Sequence, residues 1–262
     1  MKTTIDKGTI GGLALAFAGL GTGLMLEGVK LPQMLQPTAA LIVFGGTLGA
    51  VMVQFPLRIV IQAVRQLMDV LLHADPEPDN LVQNLLRFAY KARKEGIASL
   101  DAELERIRDP FLRESLMLAI DGVKPVDLRK MMEVQLDYQG EKDEKIPKVF
   151  EAAGGFAPTI GILGAVLGLI QVMQRLSDVN EVGKGIAVAF VATIYGVASA
   201  NLLFLPWAGK LKIRLREKQV IQEMTLEAVL SIVEGVHPRA LELQLGKFFD
   251  RPAHALKKVA SR

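Results

Sequence analysis

Four stretches of this chain hold no charged residue: residues 8–26, 38–55, 152–173 and 185–209. A helix rises about 1.5 Å per residue, so the shortest of them nearly spans a hydrocarbon layer of about 30 Å. The third is the most constraining. It opens Ala-Ala-Gly-Gly-Phe-Ala-Pro-Thr-Ile-Gly-Ile-Leu-Gly-Ala-Val-Leu-Gly-Leu over 152–169, apolar, glycine-studded and interrupted by Pro158. The fourth follows after a short polar loop and carries Pro206. A kinked, small-faced hairpin without charges reads as part of an ion pathway that lacks its own ion-binding group.

Composition supports the membrane reading. The chain is 50% hydrophobic and 23% charged, an average of two unlike populations, because the charges are dense between the four runs and absent within them. A net charge of +3 gives no support to nucleic-acid binding. The lack of cysteine removes disulfides, thiolate zinc sites and cysteine nucleophiles.

In chain order, the first run reads as a retained membrane helix. Ala16-Phe17-Ala18 resembles a signal-cleavage site, but the apolar run continues past it to Leu26. A linker with Pro32 and Pro37 forces a turn, and Pro56 closes the second run. Apolar residues then recur at helical spacing among charges, as in Leu81, Leu85, Phe88 and Ala89. Asp79-Asn80, Asp109-Pro110 and Lys124-Pro125 read as helix starts, so residues 57–151 are expected to form short amphipathic helices in a water-facing bundle. After the fourth run comes a basic collar: Lys210, Lys212, Arg214, Arg216 and Lys218. A tail helix places Ile221, Met224, Ala228, Ile232 and Val236 on one stripe. A short helix over 240–249 and frayed final residues, including Lys257 and Lys258, complete the chain.

Cations near span ends set orientation. One side collects Lys2, Lys7, Arg58, Arg65, Lys142, Lys145, Lys148 and the collar, whereas the other has only Lys30, Arg175 and Lys184. The prediction is an all-α membrane protein. Transmembrane helices 1 and 2 lie in 1–56, and 3 and 4 lie in 152–209. A large cytoplasmic helical domain (57–151) separates the second and third spans, and C-terminal helices (210–262) and both termini are cytoplasmic.

The informative absence is acidic. No ionisable side chain other than Tyr195 lies within the spans, and intramembrane ionisable groups are the usual marks of ion sites. Either the protein moves no ions, or a partner brings the carboxylate. The spans do hold hydroxyls, and Thr193 lies mid-helix. The bland role of a membrane threonine is back-bonding to its own helix; the sharper one is lining a wet path beside a partner's acid. Small residues four apart, such as Gly164 with Gly168 and Gly196 with Ala200, predict close helix packing. Pro158 and Pro206 each remove a backbone hydrogen bond. Membrane helices tolerate proline, yet two near the cytoplasmic ends of adjacent spans form a plausible coupling hinge. Gly19-Leu-Gly-Thr-Gly23 lacks the Lys-Ser/Thr of a phosphate loop. His73, His237 and His254 have no metal-ligand spacing. No nucleophile–base constellation points to an enzyme, and no cofactor or metal is implied. Around Gly96, which should end one helix with Ser99 capping the next, Arg93 and Asp101 flank one turn.

These residues resemble the MotA/PomA-type flagellar stator subunits of the MotA/TolQ/ExbB proton-channel family. The resemblance is carried by the segments 157–169, 193–201, 92–101 (Ala-Arg-Lys-Glu-Gly-Ile-Ala-Ser-Leu-Asp) and 234–239 (Glu-Gly-Val-His-Pro-Arg), and by the two-plus-two layout of spans. It implies a bacterial inner-membrane homopentamer around two copies of a MotB-type single-span partner, whose essential aspartate supplies the missing acid. It also implies torque on a rotor C-ring protein of the FliG type. By the same resemblance Arg93 is rotor-binding, as is Asp101, where the family more often has Glu, and Pro158 and Pro206 match two family prolines. Sodium-using relatives typically have Thr where this chain has Ala165; one hydroxyl fewer disfavours a dehydrated sodium ion, so the reading favours protons. The alternative is an ExbB/TolQ-like proton-driven energiser of envelope transport, a group with three spans.

Overall fold

A computed structural model of the chain describes residues 3–28, 34–74 and 78–249; the linker residues Lys30 and Pro32 and the terminal Lys257 and Lys258 lie outside the described residues. The elements in order are β1 (Thr3–Ile5), α1 (Lys7–Leu26), α2 (Pro37–Gln54), α3 (Leu57–Leu71), β2 (Leu72–Ala74), α4 (Pro78–Glu95), a 3-10 turn (Ile97–Leu100), α5 (Asp101–Leu104), α6 (Pro110–Ile120), α7 (Pro125–Gln174), α8 (Val179–Ser199), α9 (Leu205–Val233) and α10 (Pro238–Gly246). Among the described residues four helical stretches are long and apolar enough to cross a membrane: Lys7–Leu26, Pro37–Gln54, Pro125–Gln174 and Glu181–Val233. The all-α class holds; β1 and β2 form one antiparallel pairing with Thr4 opposite His73.

Helix starts follow local chemistry. The Asp6 carboxylate accepts from the Thr9 N–H at 3.1 Å and Asp109 from the Leu112 N–H at 2.9 Å, satisfying donors that a first turn leaves unpaired. α4 begins at Pro78, so Asp79 and Asn80 lie inside its first turn rather than ahead of it; proline's fixed φ suits the first helical position.

Two expectations about helix length are corrected. The helix opened by Pro125 is not short: it runs 50 residues to Gln174 and takes in the third apolar run, with both Pro147 and Pro158 inside it. The tail helix likewise begins at Leu205, inside the fourth run, and Val236 lies beyond its end. Periodicity marks where apolar faces change from water-facing to lipid-facing, but not a break in the backbone.

The chain divides into two compact units, 1–75 with 144–213 and 76–143 with 214–262. In the second, Leu85, Leu100, Leu116, Leu128, Met132, Met224, Leu241 and Leu245 are fully buried, drawn from α4, the 3-10 turn, α6, α7, α9 and α10 into one core. Met224, Ala228 and Ile232 of the expected tail stripe are buried there. Arg129 of α7 donates to both carboxylate oxygens of Glu227 on α9. In the first unit, α3 joins the spans: Val60 and Ala63 cluster with Val51, Val149, Phe150, Ala208 and Leu211. Its heavily amphipathic pattern reflects that packing. A second cluster joins α2 and α8 through Ala39, Val43, Val188, Val191 and Ala192, whereas α1 has no buried residue.

A small-residue seam, two prolines and a charged turn

Helices α7 and α8 meet along a seam of small residues. A Cβ on Gly161 would lie 2.9 Å from the Ala192 carbonyl oxygen and 3.2 Å from the Gly196 Cα. One on Gly168 would lie 2.8 Å from the Gly185 carbonyl oxygen, and one on Gly196 would lie 2.5 Å from the Ala157 carbonyl oxygen. The spacing of Ala157, Gly161, Gly164 and Gly168 keeps one helical face toward the partner helix, and the absence of side chains lets the backbones touch. Among the described residues a Cβ on Gly19, Gly23 or Gly49 would meet nothing within 4 Å, whereas one on Gly46 of α2 would lie 2.9 Å from Ile160 Cγ2.

Ala165 and Thr193 both flank this seam. Ala165 follows Gly164, whose added Cβ would sit 2.9 Å from the Ala192 Cβ, and Thr193 follows Ala192. Both are half-buried. The Thr193 hydroxyl donates to the Ala189 carbonyl at 3.2 Å, which is the back-bonding role; its oxygen lone pairs stay available to accept.

The seam reaches both prolines. Pro158 has no N–H for the carbonyl of Gly154 one turn earlier. Gly154 is itself a contact point, since a Cβ there would lie 2.6 Å from Leu205 Cδ2, and Leu205 adjoins Pro206. Between Gly196 and Leu205 the backbone widens into a π-turn, Ala200–Phe204. The wider i→i+5 pattern immediately precedes a proline that cannot donate to the i−4 carbonyl, and single π-turns inside α-helices often occur at functional sites. The π-turn has no composition signal that periodicity could have detected.

Tyr195 also serves a role not read from the sequence. Its hydroxyl donates to the Met34 carbonyl and accepts from the Gln36 N–H at 3.4 Å. Its ring stacks on Phe44, centroids 6.0 Å apart. It thus pins the entrance of α2 to α8. The collar cations are paired as well: Lys210 with Asp6, Lys212 with Glu151 and Lys218 with Asp143. Lys210 holds the Asp6 carboxyl far below the usual carboxylate range, and the Thr9 N–H adds to the effect.

In the other unit, Arg93 and Asp101 lie on either side of the turn after α4, and both are exposed. Gly96 sits at φ 82°, a left-handed conformation that glycine adopts without Cβ strain. Ser99 does not cap the next helix as expected. It lies inside the 3-10 turn and its hydroxyl donates back to the Gly96 carbonyl at 2.7 Å. Asp101 opens α5 and is exposed. Arg93 is exposed in the last turn of α4, with one long hydrogen bond to the Gly235 carbonyl at 3.4 Å. Arg93 and Asp101 make no ion pair with each other. The adjacent acid differs: Glu103 accepts from Lys91 at 2.8 Å and Arg87 at 3.4 Å, and Lys91 chiefly holds its carboxyl below the usual range.

Residues 103–224 match the profile of the MotA/TolQ/ExbB proton channel family, and residues 10–96 match that of the Motility protein A N-terminal region. Over 243 residues the chain is 34% identical to Motility protein A of Bacillus subtilis (strain 168), covering 92% of this chain and 90% of that one. This chain belongs to the MotA/TolQ/ExbB proton channel family. Its fold agrees with a chain of the flagellar MotAB stator complex from Bacillus subtilis, at TM-score 0.86 and 34% identity over 97% of this chain and 100% of that one. It agrees also with a chain of the C. jejuni MotAB structure, at TM-score 0.89 and 30% identity over 95% and 98%. The family likeness spans both units, the seam and the charged turn alike.

Proposed function

We propose that this chain is a stator subunit of the bacterial flagellar motor, forming an ion channel with a MotB-type single-span partner and turning ion-motive force into torque. The carrying observation is the set of four spans without an acid, base or histidine, within a chain that resembles Motility protein A over 92% of its length. Intramembrane cation transfer needs a titratable or coordinating group, and the partner's aspartate fills that role. Neutralising and restoring its charge beside the seam alters which contacts the α7–α8 pair favours. Thr193 and Ala165 flank the path, and Pro158 and Pro206, joined through Gly154 and Leu205, are the hinge that carries the change onward. Arg93 and Asp101, exposed and not paired with each other, engage a FliG-type protein of the rotor C-ring.

The finer features belong to the same proposal: a pentamer around two partner copies in the bacterial cytoplasmic membrane, both termini cytoplasmic, conducting protons. The absence of a hydroxyl at Ala165 favours a proton, which needs an acid and water, over sodium, which needs several oxygen ligands. The match of residues 10–96 to the Motility protein A N-terminal region favours the motor over an ExbB/TolQ-like energiser. The test is proton flux into liposomes. The chain with its partner should conduct and the chain alone should not; conduction by the chain alone would overturn the assignment of the acid to the partner.

A further inference from the structure

A proton leaving the partner's acid must reach cytoplasmic water, and the spans themselves offer it no carboxylate. The first unit contains a groove of about 830 Å³ lined by Gln54 and Phe55 at the end of α2 and by α7 residues that include Lys148, Glu151, Gly155 and Thr159. Glu151, Gly155 and Thr159 are successive fourth residues, so they occupy one helical face. Thr159 lies inside the charge-free run and Glu151 immediately before it. A Cβ on Gly155 would meet nothing within 4 Å, so no side chain fills the space between the hydroxyl and the carboxylate. Two turns separate them by about 12 Å along the axis, a distance that about four waters at hydrogen-bond spacing bridge. The Thr159 hydroxyl donates to the Phe156 carbonyl at 2.8 Å and can accept from such a water.

Two lysines stand about Glu151, one on its own helix and one on α9. Its carboxylate is paired with Lys212 of α9, its side chain 40% exposed. Lys148 lines the same groove and is paired with Glu144 at 3.3 Å. We propose that Glu151 is the proton-receiving carboxylate at the cytoplasmic mouth of the path. A proton passes from the water file to a Glu151 oxygen, the pair with Lys212 loosens, and the ammonium charge then favours release to bulk water and return of the carboxylate. Nothing is consumed: one proton enters the carboxyl group and one leaves it. The inference rests on the stator reading and adds a residue of this chain to the path.

The experiment reconstitutes the full complex with its partner in liposomes and measures proton flux at fixed driving force over a pH series, in H2O and D2O, with assembly followed by copurification. For Glu151→Gln, flux should fall about a hundredfold, the low end for positioned proton-transfer groups, with assembly intact and partial recovery on adding imidazole. Glu151→Asp should retain most of the flux. Lys212→Met breaks the same ion pair, yet it should conduct with its pH profile displaced to higher pH. Equal losses in Glu151→Gln and Lys212→Met, or a loss that tracks failed copurification, would mean that the pair only joins α7 to α9 and would overturn the relay. Wild-type flux from Glu151→Gln would overturn it while leaving the stator reading intact; no flux from the unaltered complex would overturn both.

Discussion

The two units solve the problem of helix packing in opposite ways. In the unit of residues 76–143 and 214–262, the largest apolar side chains are inside: Leu85, Leu116 and Leu241 are 0% exposed. In the unit that holds the spans, the inside of the α7–α8 contact is glycine and alanine, while Leu163 (55%), Leu167 (46%) and Phe190 (68%) face outward. Water expels large apolar surface, so burial of leucine drives the first kind of packing. Lipid tails are as apolar as leucine and supply no such drive, so close backbone approach decides the second. The same residue type therefore means different things in the two regions: a leucine is core in one and periphery in the other.

The comparison breaks most readily at the seam. Gly196→Leu should abolish a stable complex altogether, because its first side-chain carbon would already lie 2.5 Å from the Ala157 carbonyl oxygen; copurification with the partner reads the result, and normal assembly would refute the seam. Next in size is the leucine contrast. Leu85→Ala should cost about 3 kcal/mol through lost burial and a cavity, seen as earlier denaturant unfolding and faster proteolysis of residues 76–143. Leu163→Ala, at an outward position, should leave unfolding in detergent almost unchanged.

Smaller in stability, though not in function, is the charged turn. Arg93→Glu should leave folding within about 0.5 kcal/mol, as expected for an exposed site, while torque on tethered cells falls, most clearly at high load. Unchanged torque at every load would remove Arg93 from the rotor contact. The smallest effect concerns pH. Glu103 is held below the ordinary glutamate range, chiefly by Lys91. Its contribution to stability is therefore complete above that ordinary range and is lost as pH falls through its lower folded-state value. The acid-side loss of stability should be reduced in Glu103→Gln, and an unchanged acid profile would assign that slope elsewhere.

The legibility of the chain follows this division. Charge-free length marked all four spans, because lipid tolerates few charges and the signal sums over about 20 residues. Asp109 and Gly96 were readable because capping and positive φ are local chemistry. Helix continuity was not readable: nothing at Pro125 or Pro147 signals that one helix runs to Gln174, since neighbouring packing can satisfy the groups that a proline leaves unpaired. The candidate site was legible in its residue types and not in its geometry. Thr193, Pro158 and Pro206 stand out individually. The Gly154–Leu205 contact that joins the proline neighbourhoods, and the partners of Glu151 and Tyr195, depend on residues distant in the chain.

Sequence by itself determined that this protein spans a membrane four times and brings no acid to the middle of it, because both properties are sums over composition. It determined also, through its glycines, that some helices approach closely. Only the tertiary structure decided which ones: those of the third and fourth spans meet at backbone distance, while Gly19, Gly23 and Gly49 meet nothing within 4 Å among the described residues. A missing side chain permits contact without naming its partner, and the partner is fixed only when the whole set of helices has found its places.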